Sequence, residues 1–417
     1  MFAAFSTALS ALDANGVAVD VVGNNLANLN TPGYKESAAY FRDLVSESMG
    51  GGQTQLGFGV ASPLTIREFT QGAIQASSGN LDAAIQGNGF FVVNNNGATE
   101  FTRAGNFQVD LAGNLLTPTG QQVQGWMATN GVVNTGSSMG NISVPVGALQ
   151  PPKVTQNLTL SANFDASTPP DSAGSTTSDW SAPIKVYDSL GTGHVVTLNF
   201  AKTAANTWSV TATVPGADVG AASPQTVGTG TLTFGPNGQL LTPAAGSPIA
   251  LSITGLTGGA TSPLAINWSL WNADGTTPTL TQFDQPSASS IITQDGSAAA
   301  QMTGVTMGNG GQLLASYSNG QQSVVGEVAL ASIRNPQTLI AVGNNLFQVS
   351  AETGAPAVGA QGTGGRGTIV GGALESSNVD IAKELTDLIV LQSAYQANAK
   401  VVTTVNTLAQ ATTQLIA

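Results

Sequence analysis

The sequence predicts a mainly β protein with long terminal α-helices. The N- and C-terminal helices pair as a coiled-coil-like core, and two antiparallel β domains lie between them, the second inserted in the first. Three observations carry this reading. Apolar residues at both ends recur every seven positions, the middle of the chain switches to strict alternation, and 417 residues suffice for a sizeable core.

The N-terminal pattern runs over residues 1–30. Phe5, Leu12, Val19 and Leu26 form one row, and Ala8, Val22 and Leu29 the next, with Asn15 as its polar exception. Alternating steps of three and four trace one face of a helix, and Pro32-Gly33 ends it. At the other end Ile381, Leu388, Tyr395, Val402, Ala409 and Ile416 lie seven apart. Leu391 and Val405 fill the complementary row, and Val401, Leu408 and Leu415 widen the stripe. Ser377 with Asp380 three residues on reads as a capping box. A helix from there to the end would be ~55 Å long at 1.5 Å per residue. So wide an apolar stripe on so long a helix needs partners.

Between the ends the period is two. Leu158, Leu160, Ala162 and Phe164 alternate with polar residues, as do Val196, Leu198 and Phe200, then Trp208, Val210, Ala212 and Val214. Leu232 and Phe234, Ile249 to Ile253, and Leu264 to Leu270 continue the series, with Gly235-Pro236-Asn237-Gly238 as a turn. This is an antiparallel β domain, a sandwich or a barrel. Two flanking stretches, 81–126 and 312–349, are also β-rich and carry turn signals at Asn94 to Gly97 and at Asn319-Gly320. The expected division is a helical core from 1–30 and 376–417, and a linker with extended segments over 31–71. A discontinuous inner β domain spans 72–148 and 286–375, and an inserted outer β domain 149–285.

Charge is the unusual feature of the composition. Asp, Glu, Lys and Arg make up 8% of the chain, against roughly 25% in ordinary soluble proteins. The polarity comes from Asn, Gln, Ser, Thr and Gly, which hydrate a surface without the repulsion that would keep copies apart. A poorly charged secreted β protein would have the same composition. The net charge is −12 and the cations are scattered singly, so no basic stripe exists for nucleic acid or for an anionic membrane. No run approaches the ~18 apolar residues of a membrane span, and no charged n-region precedes the first apolar stretch, so no cleaved signal peptide is expected. With no cysteine and one histidine, disulfides, thiolate zinc sites and other transition-metal sites are excluded, and no cofactor is expected.

Two motifs suggest chemistry and fail on context. Gly362, Gly364 and Gly367 have the phosphate-cradling G-x-G-x-x-G spacing, but Thr368-Ile369-Val370-Gly371-Gly372 cannot start the helix that motif requires. Gly136-x-Ser138-x-Gly140 has the spacing of a nucleophile elbow but sits in a Gly/Asn/Ser loop with no helix behind it. His194, between Gly193 and Val195 at a strand start, reads as a partly exposed histidine without a role. No pair of acids resembles an acid–base couple. The residues predict no enzyme.

Three blocks carry a resemblance. The first is Gly23-Asn24-Asn25-Leu26-Ala27-Asn28-Leu29-Asn30-Thr31-Pro32-Gly33-Tyr34-Lys35, a helix end running into a Pro-Gly stop. The second, Leu81 to Val93, includes Gly87-Asn88-Gly89-Phe90-Phe91 and continues through Phe101 to Phe107. The third runs from Gly372 through Ser377-Asn378-Val379-Asp380 and continues from Gln392 to Val401. Together they resemble the axial proteins of the bacterial flagellar rod and hook. Within that family Phe283-Asp284-Gln285-Pro286 with Gln294-Asp295-Gly296 is similar to the hook subunits' return from an inserted domain. The alternative is the distal rod or another axial protein, which is shorter and lacks a large insertion.

The resemblance implies an extracellular structural subunit of the flagellar hook, on the basal body, that homopolymerises into a curved, flexible tube. The terminal helices line its channel, and torque passes through it from rod to filament. It further implies distal rod, hook cap and hook–filament junction proteins as partners, and passage through the flagellar type III export gate without a cleaved signal. Phe41-Arg42-Asp43-Leu44-Val45 resembles the export-gate motif of hook subunits and reads equally as an ordinary amphipathic turn. Asn28, Tyr395 and Asn398 are expected to pack and cap.

Overall fold

The computed structural model describes residues 2–44, 47–48, 55–57, 59–171 and 178–416. By its internal contacts the chain forms two compact units. One comprises 1–146, 304–316 and 322–417, the other 147–303 with 317–321.

The first unit opens with α1 (Phe2–Ala27) and a hairpin, β1 (Ser37–Asp43) with β2 (Val60–Arg67), paired antiparallel and packed on α1. Within the stretch read as a linker, Ser37–Asp43 and Val60–Arg67 therefore pack on α1. Next come β3 (Ile74–Ala76), β4 (Ala83–Gln86), β5 (Phe90–Asn95), β6 (Ala98–Thr102) and β7 (Gln122–Thr129). Asn96 and Gly97 both take positive φ, 50° and 95°, which gives the β5–β6 hairpin the twist its strands require.

The second unit holds β8 (Asn157–Asp165), β9 (Trp180–Tyr187), β10 (Gly193–Ala204), β11 (Thr207–Val214), β12 (Gln225–Phe234), β13 (Leu240–Thr242), β14 (Ile249–Ile253), β15 (Leu264–Ser269), β16 (Leu280–Phe283) and β17 (Ala288–Gln294). One sheet has the antiparallel order β9-β10-β11-β12-β13. In the other, β8 runs parallel to β15 and β16 along one edge and antiparallel to β17 along the opposite edge, while β14 pairs antiparallel with β15. The alternation read from the sequence is the alternation of burial. Phe164, Phe200, Trp208 and Trp268 are all completely buried in one cluster filled from both sheets, so the unit is a sandwich. It extends past residue 285, because β17 hydrogen-bonds along β8 from Asn163 to Leu158. Strand β17 is exposed on both faces, which leaves no alternation to read.

The structure also corrects the reading of His194. The ring is buried, 6% exposed, with Nδ1 3.1 Å from Asp218 and Nε2 3.2 Å from Asp188. Both nitrogens face carboxylates, and among the described residues neither meets a serine hydroxyl.

Later strands of the first unit include β18 (Gln312–Tyr317), β19 (Gln322–Val328), β20 (Leu330–Ser332), β21 (Ile340–Gly343), β22 (Leu346–Gln348), β23 (Thr368–Gly371) and β24 (Ala373–Glu375), followed by α2 (Ile381–Ile416). Seven strands of its main sheet run in the order β18-β19-β7-β5-β6-β22-β21. Asn319-Gly320 turns the β18–β19 hairpin, Gly320 having φ +79°. Strands β24 and β3 pair, as do β23 and β4, and these ladders lead the chain into α2.

Candidate functional site

Helices α1 and α2 pack together, and α1 is also covered by β1 and β2. A helix enclosed on two sides favours small residues where backbones approach. The buried positions of α1 are accordingly Ala8, Ala14, Asn15, Ala18, Val22 and Asn25. Ala8, Asn15 and Val22 belong to one of the two rows read from the sequence. Of the other row, Leu12, Val19 and Leu26 are half-buried and Phe5 is 39% exposed.

Helix α2 has one covered face and one bare face. Leu388, Leu391, Ala394, Asn398, Val402 and Val405 are half-buried at steps of three and four. Ile381, Leu385, Ile389 and Val390 stand 47–64% exposed with Tyr395 at 47%. Tyr395 and Ile381 therefore flank the seam instead of filling it. Asn398 donates Nδ2 to the Ala394 carbonyl on its own helix. Ile416 ends α2, and its side chain lies outside the described residues. Phe41, on β1, is 47% exposed, whereas Val45 lies outside the described residues.

The signature residues stitch these elements together. Asn25 acts as a strand neighbour to Ser37, accepting from its N–H at 3.0 Å and donating Nδ2 to its carbonyl at 2.8 Å. The Tyr34 hydroxyl donates to Asn25 Oδ1 at 3.2 Å. Asn28 Nδ2 donates to Asn24 Oδ1, and Thr31 donates its hydroxyl to Asn28 Oδ1. Gly33 has φ +70°, and a Cβ there would stand 2.6 Å from Ala104 N, so only glycine fits. Its N–H donates to the Glu375 carbonyl. On the C-terminal side Asn378 Oδ1 accepts from Glu36 N–H while Nδ2 donates to the Glu68 carbonyl. The N-cap lies three residues beyond the Ser377 that the capping-box reading chose. Helix α2 begins at Ile381, and Asp380 caps it by accepting from Ala382 N–H at 2.8 Å, while Ser377 accepts only from Val379 N–H. Phe90 and Phe91 are buried on β5, each edge-on to other rings.

Beneath these bonds lies a charged knot that sequence reasoning missed. The side chains of Lys35, Glu375 and Arg103 are 0%, 0% and 4% exposed. Lys35 Nζ donates to Glu375 Oε1 at 2.7 Å and to the Thr70 carbonyl at 2.6 Å. Gly72 N–H donates to the same Oε1, and Arg103 Nε stands 3.1 Å from Oε2. One carboxylate thus serves two cations, and backbone carbonyls supply the remaining acceptors. Arg103 donates to those of Gly87 and Gly89, whose φ values of +93° and +136° turn them inward. Burial pulls the Lys35 ammonium below its ordinary value, opposed by Glu375. The only signal in the sequence was that all three residues lie in the signature blocks.

Glu384 is the weak point of the helix pair. It is 4% exposed and accepts from Asn25 Nδ2 at 3.0 Å through Oε1, but Oε2 has no hydrogen-bond partner among the described residues. Burial, opposed by the Asn25 hydrogen bond and aided by Glu36, raises its carboxyl above the usual range. A raised carboxyl holds its proton more tightly in the folded than in the unfolded state. Its contribution is therefore full below the ordinary carboxylate value and is lost as pH rises through the raised one. Glu384→Gln keeps the Asn25 bond and removes the charge. It should leave stability unchanged in acid and raise it at neutral pH, as read by denaturant titration at both pH values.

A subunit with its two ends wound together and one apolar helix face left bare is built to associate. Four family models match the chain in order. They are "Flagella basal body rod protein" over residues 5–35, "Flagellar hook protein FlgE/F/G D1 domain" over 84–163, "Flagellar basal body protein FlaE D2 domain" over 157–297 and "Flagellar basal body rod FlgEFG protein C-terminal" over 370–415. This is a protein of the flagellar rod and hook class. It is 33% identical to the flagellar hook protein FlgE of Borreliella burgdorferi, over 98% of both chains. It is 33% identical to that of Escherichia coli K12, over 96% of this chain and 97% of the relative. The chain belongs to the flagellar hook protein FlgE family. The crystal structure of the Helicobacter pylori flagellar hook protein FlgE2 shares the fold, with a TM-score of 0.51 at 14% identity over 71% of this chain and 99% of that one. These relatives favour the hook over the distal-rod alternative.

Proposed function

We propose that this chain is the structural subunit of a bacterial flagellar hook and has no catalytic role. It self-assembles into a curved, flexible helical tube, carries torque from the basal-body rod to the filament and encloses an export channel. The observation that supports this best is the bare face of α2, where Leu385 and Ile389 stand exposed between the flanking Ile381 and Val390 on a helix already paired on its other side. Apolar residues in such numbers on one helix favour association, and burial at each subunit adds up along a polymer. Distal rod, hook cap and junction proteins would meet the two ends of the tube. The subunit would leave the cell through the type III gate and reside outside it.

Electron microscopy of the purified chain at rising concentration tests the reading. Curved tubes with a central channel are expected, and a monodisperse globule under all conditions would refute it. The same preparation yields a second expectation. Protease should cut α2 beyond Val405, where the described side chains are exposed, faster in the monomer than in the tube. Equal digestion of this end in monomer and tube would count against the bare face as the assembly surface.

A further inference from the structure

Arg67 is an exception among the cations of this chain. The other cations withdrawn from solvent all have oxygen partners. Lys35 and Arg103 share Glu375, Lys202 donates to the carbonyls of Ala166 and Thr168, and Arg366 donates to those of Ala357 and Ala360. Arg67 is half-buried at the end of β2. Its guanidinium lies 5.1 Å from the centre of the Phe347 ring, and no hydrogen bond or ion pair to it exists among the described residues. It lines a cleft of about 460 Å³ with the polar side chains of Asn28, Thr102, Asn106, Asn344 and Asn345. A guanidinium carries five donors in a fixed fork that matches a carboxylate, and withdrawing it from water without an acceptor is unfavourable.

We propose that this cleft receives a carboxylate-bearing segment of a second copy of this chain, with Arg67 as the anchor. The inference rests on the polymer reading above, which supplies the second copy. Charge points to the same occupant, since the chain carries 23 acids against 11 bases. The surroundings suit a protein segment better than a small anion. Strand β21, which contributes Ala341 and Gly343 to the cleft, is the last strand of its sheet and exposes Ile340 (55%) and Val342 (43%) beside it. An open strand edge with apolar residues offers main-chain and side-chain contacts around the central ion pair.

The chain has no cysteine, so Ala341→Cys, at an exposed position of the cleft wall, provides a single thiol probe. Maleimide should label it readily in the monomer and at least tenfold more slowly in tubes assembled from the purified chain. Arg67→Gln should raise the critical concentration for assembly roughly tenfold, as expected for loss of a charge-assisted hydrogen bond, with the monomer's melting temperature unchanged. Added salt should raise the critical concentration of the wild type more than that of Arg67→Gln. A thiol as reactive in tubes as in monomer, or an Arg67→Gln monomer that melts lower while its assembly is unaffected, would overturn the proposal. Protection in hooks taken from cells but not in tubes of purified chain would overturn the second copy as occupant. Absence of wild-type tubes would defeat the polymer reading and this inference with it, whereas tubes with a freely reactive thiol defeat the inference alone.

Discussion

Replacing Leu391 or Val402 by aspartate is expected to abolish tube formation while leaving export intact. Both side chains are half-buried on the face of α2 that meets α1, and Leu391 faces the groove that Ala18 and Val22 also line. An unpaired carboxylate placed there costs several kcal/mol, and a polymer repeats that cost at every subunit. The export determinants proposed here lie near the other end of the chain, so each variant should accumulate outside the cell as monomer. Lys400→Gln is the control. Lys400 is exposed and has no ion-pair partner among the described residues, and it should assemble nearly as the wild type does. Normal assembly of Leu391→Asp would show that the helix seam does not govern polymerisation.

Removing Glu375 should unfold the first unit before the second. Glu375→Ala leaves Lys35 and Arg103 buried without an anion and deprives Gly72 N–H of its acceptor. Breaking a buried pair in this way costs about 3–5 kcal/mol. Calorimetry should show the transition of the first unit moved down and that of the sandwich unmoved. Salt should not rescue it, because buried charges are poorly screened. A triple variant with apolar residues at Lys35, Arg103 and Glu375 should recover much of the loss, since apolar side chains of similar volume can replace a buried ionic cluster. A Glu375→Ala protein that melts as the wild type does would reduce the knot to a bystander.

The parts of this fold legible in the sequence are those whose signal is local. Phe164, Trp208 and Trp268 alternate with polar neighbours and are all buried, so the sandwich could be read strand by strand. The helix pair was equally visible, but not which of the two rows of α1 is buried. Hydrophobicity favours large side chains such as Phe5, whereas a helix covered on two sides selects Ala14, Ala18 and even Asn25. The knot could not be found by period, because Lys35 and Glu375 are 340 residues apart. The cap at Asp380 was missed by one turn because Ser377 and Asp380 both satisfy the residue preference, and only the helix start decides between them.

On the export route proposed above, that long span between Lys35 and Glu375 also sets an order of events. The sandwich draws its core from one continuous stretch, 147–303, and can close once that stretch is out. The first unit cannot. Asn25 waits for Glu384, 359 positions later, and Lys35 waits for Glu375. Contacts so distant in sequence form only after the intervening chain is available, and their loop-closure cost falls once part of that chain has already condensed. The middle therefore folds first and the ends last. Until the final helix emerges, α1 has no partner helix and the bare face of α2 does not yet exist. On that route the molecule would become adhesive only after leaving it.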